Sequence, residues 1–316
     1  MNQAPVTAPT PKRRRWQVRA IRLSIGLLAI WLLASWGVAY KLTHRRRRAF
    51  AEPVPAVAWA TFEAERLRTI DNEEIGAWYA PGRADLPGVV VIHGNGGSRW
   101  NVLGRAELLA NQGYPVLLIS LRAHGDSTGE YNDIGFGARR DVIAAVDFLE
   151  RRRTGRPIAV LGPSLGAAAA LFAAEELGHR VAGYILESPY QDLRIAVRNR
   201  TANSLPPVLD WIAYRGLLAV SPLVLPHLDR ISPHDAISKV PADIPILILA
   251  GDEDISARRA EARALHERAR THAELHLFPG ARHLQMMVLD PARYQKAVFD
   301  FLIRLARPLS SSPIGQ

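Results

Sequence analysis

Short apolar runs alternate with amphipathic stretches over most of this chain. The runs at 88–92, 115–120, 157–161, 181–186 and 244–250 lack a polar alternate, which is how strands buried on both faces look. Helical spacing predicts helices at about 100–112, 136–152, 165–178 and 256–270, and a last strand at 273–278 precedes a helix at 290–306. Two further strands, near 64–70 and 74–79, flank a turn at Asp71-Asn72. Alternating strands and helices imply an α/β fold with a mostly parallel sheet covered on both faces. Right-handed crossovers then bring every strand-to-helix loop to one edge of that sheet.

Residues 188–243 interrupt the alternation. Their apolar middle (Leu209, Trp211, Ile212, Tyr214, Leu217, Leu218, Val220) fits a helical insertion over the active edge or ordinary packing helices.

Near the N-terminus, Leu23 to Tyr40 carries no charge. Eighteen helical residues span roughly 27 Å, close to the hydrocarbon thickness of a bilayer. Tyr40 lies at interfacial depth, and Arg22 and Lys41 flank the run. An uncleaved transmembrane helix is the reading adopted. A core helix, or a signal peptide cleaved near Gly37 and Ala39, are the alternatives. The expected organisation is a basic tail (1–22), the membrane helix (23–40), a basic and proline-bearing linker (41–59), one domain (60–307) with its insertion (188–243), and a C-terminal tail (308–316). Six cations precede the span and five follow it, so charge barely orients it. The expected topology is single-pass, with the domain on the extracytoplasmic side.

Charge changes the picture once. The net charge is +10, but residues 1–50 hold eleven cations and no acid, which leaves the remainder at −1. The domain therefore has no basic character, and net charge gives a nucleic-acid-binding role no support. The chain contains no cysteine, which excludes disulfides, thiolate metal sites and a cysteine nucleophile.

Candidate chemistry starts at Gly162-Pro163-Ser164-Leu165-Gly166. This G-x-S-x-G follows an expected strand and precedes an Ala-rich helix, the setting in which a serine hydroxyl sits exposed on a tight turn. His93-Gly94-Asn95-Gly96-Gly97 follows another strand. Its small residues let backbone approach a reacting carbonyl, and the N–H groups of Asn95 and Leu165 are candidate oxyanion donors. The loop lacks G-K-[ST] and G-x-G-x-x-G, which argues against a nucleotide loop. A serine needs a base, and the base needs an orienting acid. His283 sits in the loop after the last strand, whereas His276 lies within that strand and His266 and His272 lie in or near a helix. Asp254, in Gly251-Asp252-Glu253-Asp254, is the preferred acid and Asp252 the alternative.

At these residues, and at Leu121-Arg122-Ala123-His124-Gly125-Asp126-Ser127, the chain resembles the α/β-hydrolase superfamily over roughly 60–307. It is most similar to the serine-aminopeptidase and monoacylglycerol-lipase-like branch. Arg122-Ala123 and Ile255-Ser256-Ala257 depart from patterns often seen there. The resemblance implies a nucleophile at Ser164, an acid at Asp254, a base at His283, and oxyanion donors at Asn95 and Leu165. The expected activity is cleavage of a carboxylic ester, an acyl lipid among the plausible substrates, with no metal or organic cofactor. A peptidase or amidase on the same triad, and a catalytically silent membrane-tethered binding protein, are the alternatives.

Overall fold

In the computed structural model, which describes residues 11–45 and 51–306, the expected alternation is present nearly element for element. Residues 1–10 of the basic tail, Arg46 to Arg48 of the linker, and the C-terminal tail 308–316 lie outside the described residues. The strands are β1 (Glu63–Arg68), β2 (Glu74–Ala80), β3 (Gly88–Ile92), β4 (Val116–Ile119), β5 (Ile158–Pro163), β6 (Gly183–Glu187), β7 (Ile246–Gly251) and β8 (Ala273–Phe278). They form one sheet in the order β1-β2-β4-β3-β5-β6-β7-β8. Strand β2 is antiparallel to both its neighbours, β1 and β4, and β3 through β8 run parallel to one another. The turn between β1 and β2 passes through Asn72 at φ 63°, a conformation asparagine tolerates better than most residues.

The helices are α1 (Pro11–Thr43), α2 (Leu103–Ala110), α3 (Arg139–Arg152), α4 (Leu165–Leu177), α5 (Leu193–Ser204), α6 (Pro207–Val224), α7 (Pro233–Ala236), α8 (Arg259–Arg268), α9 (Met286–Leu289) and α10 (Pro291–Ala306). Two apolar layers enclose the sheet. Residues of α3, α4 and α8, such as Val146, Leu171 and Leu265, pack on one face. Residues of α2 and α10, such as Leu109, Val298 and Phe301, pack on the other. Every residue of β3, β4, β5, β6 and β7 is buried, so the unbroken apolar runs mark strands covered on both sides.

Most of the insertion is helical. Asp192 caps α5 by accepting from Ile195 N at 2.9 Å, and Pro206-Pro207 starts α6. These helices and α1 share a third apolar cluster, with Ala39, Leu193, Ala196, Val220 and Val224 packed on Phe136 and Phe172. The insertion thus packs on the domain, while Val208, Leu209 and Trp211 of α6 remain exposed.

Helix α1 is long and apolar enough to cross a membrane by length and composition. Its C-terminal half lies against α6. Trp31 Nε1 donates to Ile212 O at 3.3 Å, and one turn on, Ser35 fills the space where a side chain at Gly216 would begin. The two helices therefore run side by side in the same direction, brought close by small residues. The stretch expected as a linker makes fixed contacts where it is described. Glu52 is buried, and its Oε2 accepts from Arg99 Nη2 at 3.0 Å and Ser120 Oγ at 2.5 Å.

A second buried charge cluster lies beneath the end of β6. Glu187 receives Arg105 Nε at 2.8 Å, Arg105 Nη2 at 2.5 Å and the Tyr294 hydroxyl at 2.6 Å. Removing one partner from such a pair leaves a buried charge unpaired. Glu187→Ala is predicted to destabilise the protein by about 3–5 kcal/mol, read from its urea denaturation midpoint and slope. A loss below about 1 kcal/mol would contradict a fully desolvated pair.

Candidate active site

The loops at the C-terminal ends of β3, β4, β5, β7 and β8 meet at one edge of the sheet. Ser164 stands on the turn from β5 into α4, at φ 51° and ψ −106°, a region that L-residues rarely enter. Two glycines make the turn possible. A Cβ at Gly162 would overlap the backbone of Gly166, and one at Gly166 would lie 2.9 Å from His93 O and 3.1 Å from Ile92 Cβ. The Ser164 N–H donates to Glu187 O at 2.8 Å, which pins the turn to the buried Arg105–Glu187–Tyr294 cluster.

His283 follows β8, as the sequence suggested. Its Nδ1 is 2.7 Å from Asp254 Oδ2. The other carboxylate oxygen of Asp254 accepts from the N–H groups of Ser256 at 2.8 Å and Ala257 at 2.9 Å. Burial alone would raise the Asp254 pKa, but His283 and the two N–H groups outweigh it and hold the carboxyl below its ordinary range. An ionised Asp254 can only accept, so Nδ1 of His283 carries the proton of this bond, which leaves Nε2 as the nitrogen that can take a proton from a nucleophile. Asp252 has another task, accepting from Gly280 N at 2.7 Å. Among the described residues no hydrogen bond joins Ser164 Oγ to His283; such contacts often tighten only when substrate binds. Ser164 Cβ and Leu284 Cδ1, the latter from the residue after His283, lie 3.7 and 3.9 Å from where a Gly94 Cβ would stand.

The loop after β3 closes the site. Gly97 N donates to Gly94 O at 3.1 Å across a turn in which Gly96 has φ 79°, so Asn95 heads the turn. Leu165 is the first residue of α4, and its N–H has no partner in the preceding turn. Two histidines brace this loop. His93 Nε2 accepts from Leu121 N at 2.9 Å, and its Nδ1 donates to Gly94 O at 2.7 Å. His124 Nε2 accepts from Gly96 N at 3.2 Å, and its Nδ1 donates to Arg122 O at 2.9 Å. Each ring needs one bare nitrogen for this, so both are neutral. Burial pushes the pKa of His93 down to about 4 and that of His124 down to about 3, helped in His124 by the neighbouring His93.

Sequence reasoning found the motif residues but missed these braces and the Arg105–Glu187–Tyr294 support. His93 and His124 did stand inside the motifs that carried the resemblance. Nothing local to Arg105, Glu187 or Tyr294 distinguishes them from surface polar residues.

Comparison with known proteins places the fold that carries this site. The esterase Pf2001 of Pyrococcus furiosus superimposes with a TM-score of 0.68 at 24% identity, covering 83% of this chain and 98% of that one. The fold is that of the α/β hydrolases. Residues 87–232 of this α/β-hydrolase domain match the family model described as serine aminopeptidase, S33. A solved membrane phospholipase A, described as a bacterial virulence factor, superimposes with a TM-score of 0.57 at 18% identity over 95% of this chain and all of that one. The uncharacterized protein YqkD of Bacillus subtilis is 26% identical over 229 residues, 69% of this chain and 72% of that protein. The family match and the hydrolase fold support a serine hydrolase.

The neutral histidines carry a pH signature. Below about pH 6.5 the unfolded chain takes up protons at these positions while the folded chain refuses them. Their contribution is complete above that pH and declines as pH falls towards about 4, by about 3 kcal/mol for His93 alone. Histidine NMR is predicted to show two imidazoles that do not titrate between about pH 8 and about pH 5. If every histidine signal titrates near the free value, the bracing arrangement is wrong.

Proposed function

We propose that this chain hydrolyses a carboxylic ester through an acyl-serine intermediate, with Ser164 as nucleophile, His283 as base and Asp254 as the orienting acid. The observation that carries this reading is the 2.7 Å His283–Asp254 bond at the edge where Ser164 occupies its strained turn. Ser164 Oγ attacks the ester carbonyl as His283 Nε2 takes its proton. The carbonyl oxygen becomes an oxyanion, stabilised by the N–H groups of Asn95 and Leu165 together with the positive end of α4. Collapse breaks the bond to the alcohol oxygen, which leaves with the proton from His283. Water, deprotonated by the same nitrogen, then attacks the acyl-serine and frees the acid. Asp254 stabilises the imidazolium in both halves.

The family description, serine aminopeptidase, favours a second reading in which an amide is cleaved on the same groups. Assaying matched ester and amide substrates separates the two.

Fluorophosphonate labelling of the full-length protein is the test of the triad. Ser164→Ala and His283→Ala are expected to abolish labelling, and Asp254→Asn to lower kcat about 10⁴-fold. Asp252→Asn, losing one loop hydrogen bond, should stay within about tenfold of the unaltered enzyme. A folded wild-type protein that resists labelling would instead favour a silent binding role.

The finer reading is an amphiphilic ester drawn from a membrane. α1 would act as a single-pass anchor with the catalytic domain outside the cytoplasm. A cavity of about 440 Å³ between α1, α5 and α6, lined by side chains such as Val38, Leu42, Val197 and Leu217, offers room for an acyl chain. Long-chain esters in vesicles are expected to be turned over faster than short soluble ones, and a C-terminal reporter to be active only outside the cytoplasm. Indifference to chain length and presentation would remove the lipid reading, and a reporter active only in the cytoplasm would reverse the topology.

A further inference from the structure

Helix α1 does not end in free chain. Thr43 O accepts from Asn132 N at 2.7 Å, and Arg45 N donates to Glu130 O at 2.7 Å. His44 forms an antiparallel bridge with Tyr131. The His44 ring stacks on Tyr40, with centroids 4.0 Å apart, and meets Tyr131 at 5.1 Å. The last turn of α1 and the residues after it are thus stitched along 130–132.

This stitching delivers a side chain to the loop after β3. Arg45 Nη2 donates to Asn95 Oδ1 at 3.1 Å, and Asn132 Nδ2 donates to the same oxygen at 3.0 Å. The Asn95 carboxamide is held by two donors, one just after α1 and one on the 130–132 segment stitched to it. Asn95 is exposed and heads a glycine turn, so without these bonds little else fixes its orientation. On the opposite side His124 holds the next residue through Gly96 N.

Charge points the same way. Arg45 is partly buried, and burial lowers its pKa, yet a guanidinium remains a cation at neutral pH. The neighbouring rings of His93 and His124 are neutral, and both feel the Arg45 charge. Among the described residues no carboxylate forms an ion pair with Arg45, unlike Arg99, Arg105 and Arg122. A positive charge not cancelled by an adjacent acid therefore borders the place where negative charge would develop.

We propose that Arg45 is a positioning residue for the oxyanion, fixing Asn95 so that its N–H faces the reacting carbonyl and tying the catalytic loop to the end of α1. This rests on the reading of Ser164 as nucleophile and Asn95 as an oxyanion donor.

The test uses full-length protein in detergent micelles, a soluble ester substrate and a trifluoromethyl ketone as the tetrahedral analogue. Arg45→Ala is expected to lower kcat about 10- to 100-fold, somewhat less than loss of a whole donor, with KM changed less than about twofold. Affinity for the ketone should fall by the same factor as kcat, and Arg45→Lys should recover part of both. In an Asn95→Ala background, which keeps the backbone N–H but removes its handle, Arg45→Ala should cost almost nothing further. A purely structural Arg45 would instead lower the unfolding midpoint and leave ketone affinity and the kcat-to-KM pattern untouched. Unchanged kcat, or losses that simply add in the double variant, would overturn the proposal. Failure of the parent reading looks different: the ketone would not inhibit wild type, or Ser164→Ala would still turn over substrate.

Discussion

Ser164 is held in a backbone conformation that a serine avoids, and the candidate site depends on what holds it there. Its φ of 51° is permitted because Gly162 and Gly166 leave room for the backbone to cross itself and to touch His93. It is sustained because Ser164 N–H donates to Glu187 O, and Glu187 is itself fixed by Arg105 and Tyr294 in the buried layer between sheet and α10. Strain of this kind costs of order 1–3 kcal/mol and persists only where the surroundings over-determine it. Here a parallel sheet and a buried ion pair do so.

The same edge is organised by neutralising most charges and keeping a few. Asp254 is ionised beside His283, with two backbone N–H groups on its other oxygen. His93 and His124 are kept neutral by burial, which frees one nitrogen of each to receive a backbone N–H. Arg122 and Asp141 pair beneath the loop after β4. The guanidinium of Arg45 comes from just past α1 rather than from the sheet. A helix that qualifies as a membrane span by length and composition thus has contacts reaching the loop proposed to bind the oxyanion, so α1 and the domain are not independent modules.

Much of this was legible in the sequence, for a physical reason. Strands buried on both faces must be apolar throughout, so β3 to β7 announced themselves within one or two residues of their observed ends. The turn at Ser164 needs glycine on both sides, and that requirement is local enough to be written as a motif. His283 was readable because a loop after the last strand must lie at the active edge. The rest depends on chain segments far apart. Glu52 sits in a proline-bearing stretch that reads as linker, yet it is buried against Arg99 and Ser120. The choice between Asp254 and Asp252 turns on which carboxylate faces His283, a matter of fractions of a turn that spacing does not encode. Arg45 belongs to a run of four arginines indistinguishable by composition from snorkelling residues.

The most direct test of the account is rapid acid quench of the full-length enzyme with an activated ester, followed by mass spectrometry of the peptide that carries residue 164. The account predicts an acyl adduct on Ser164 that appears in a burst before steady turnover and is absent from Ser164→Ala. Steady ester hydrolysis with no adduct, or with the acyl group on another residue, would contradict it.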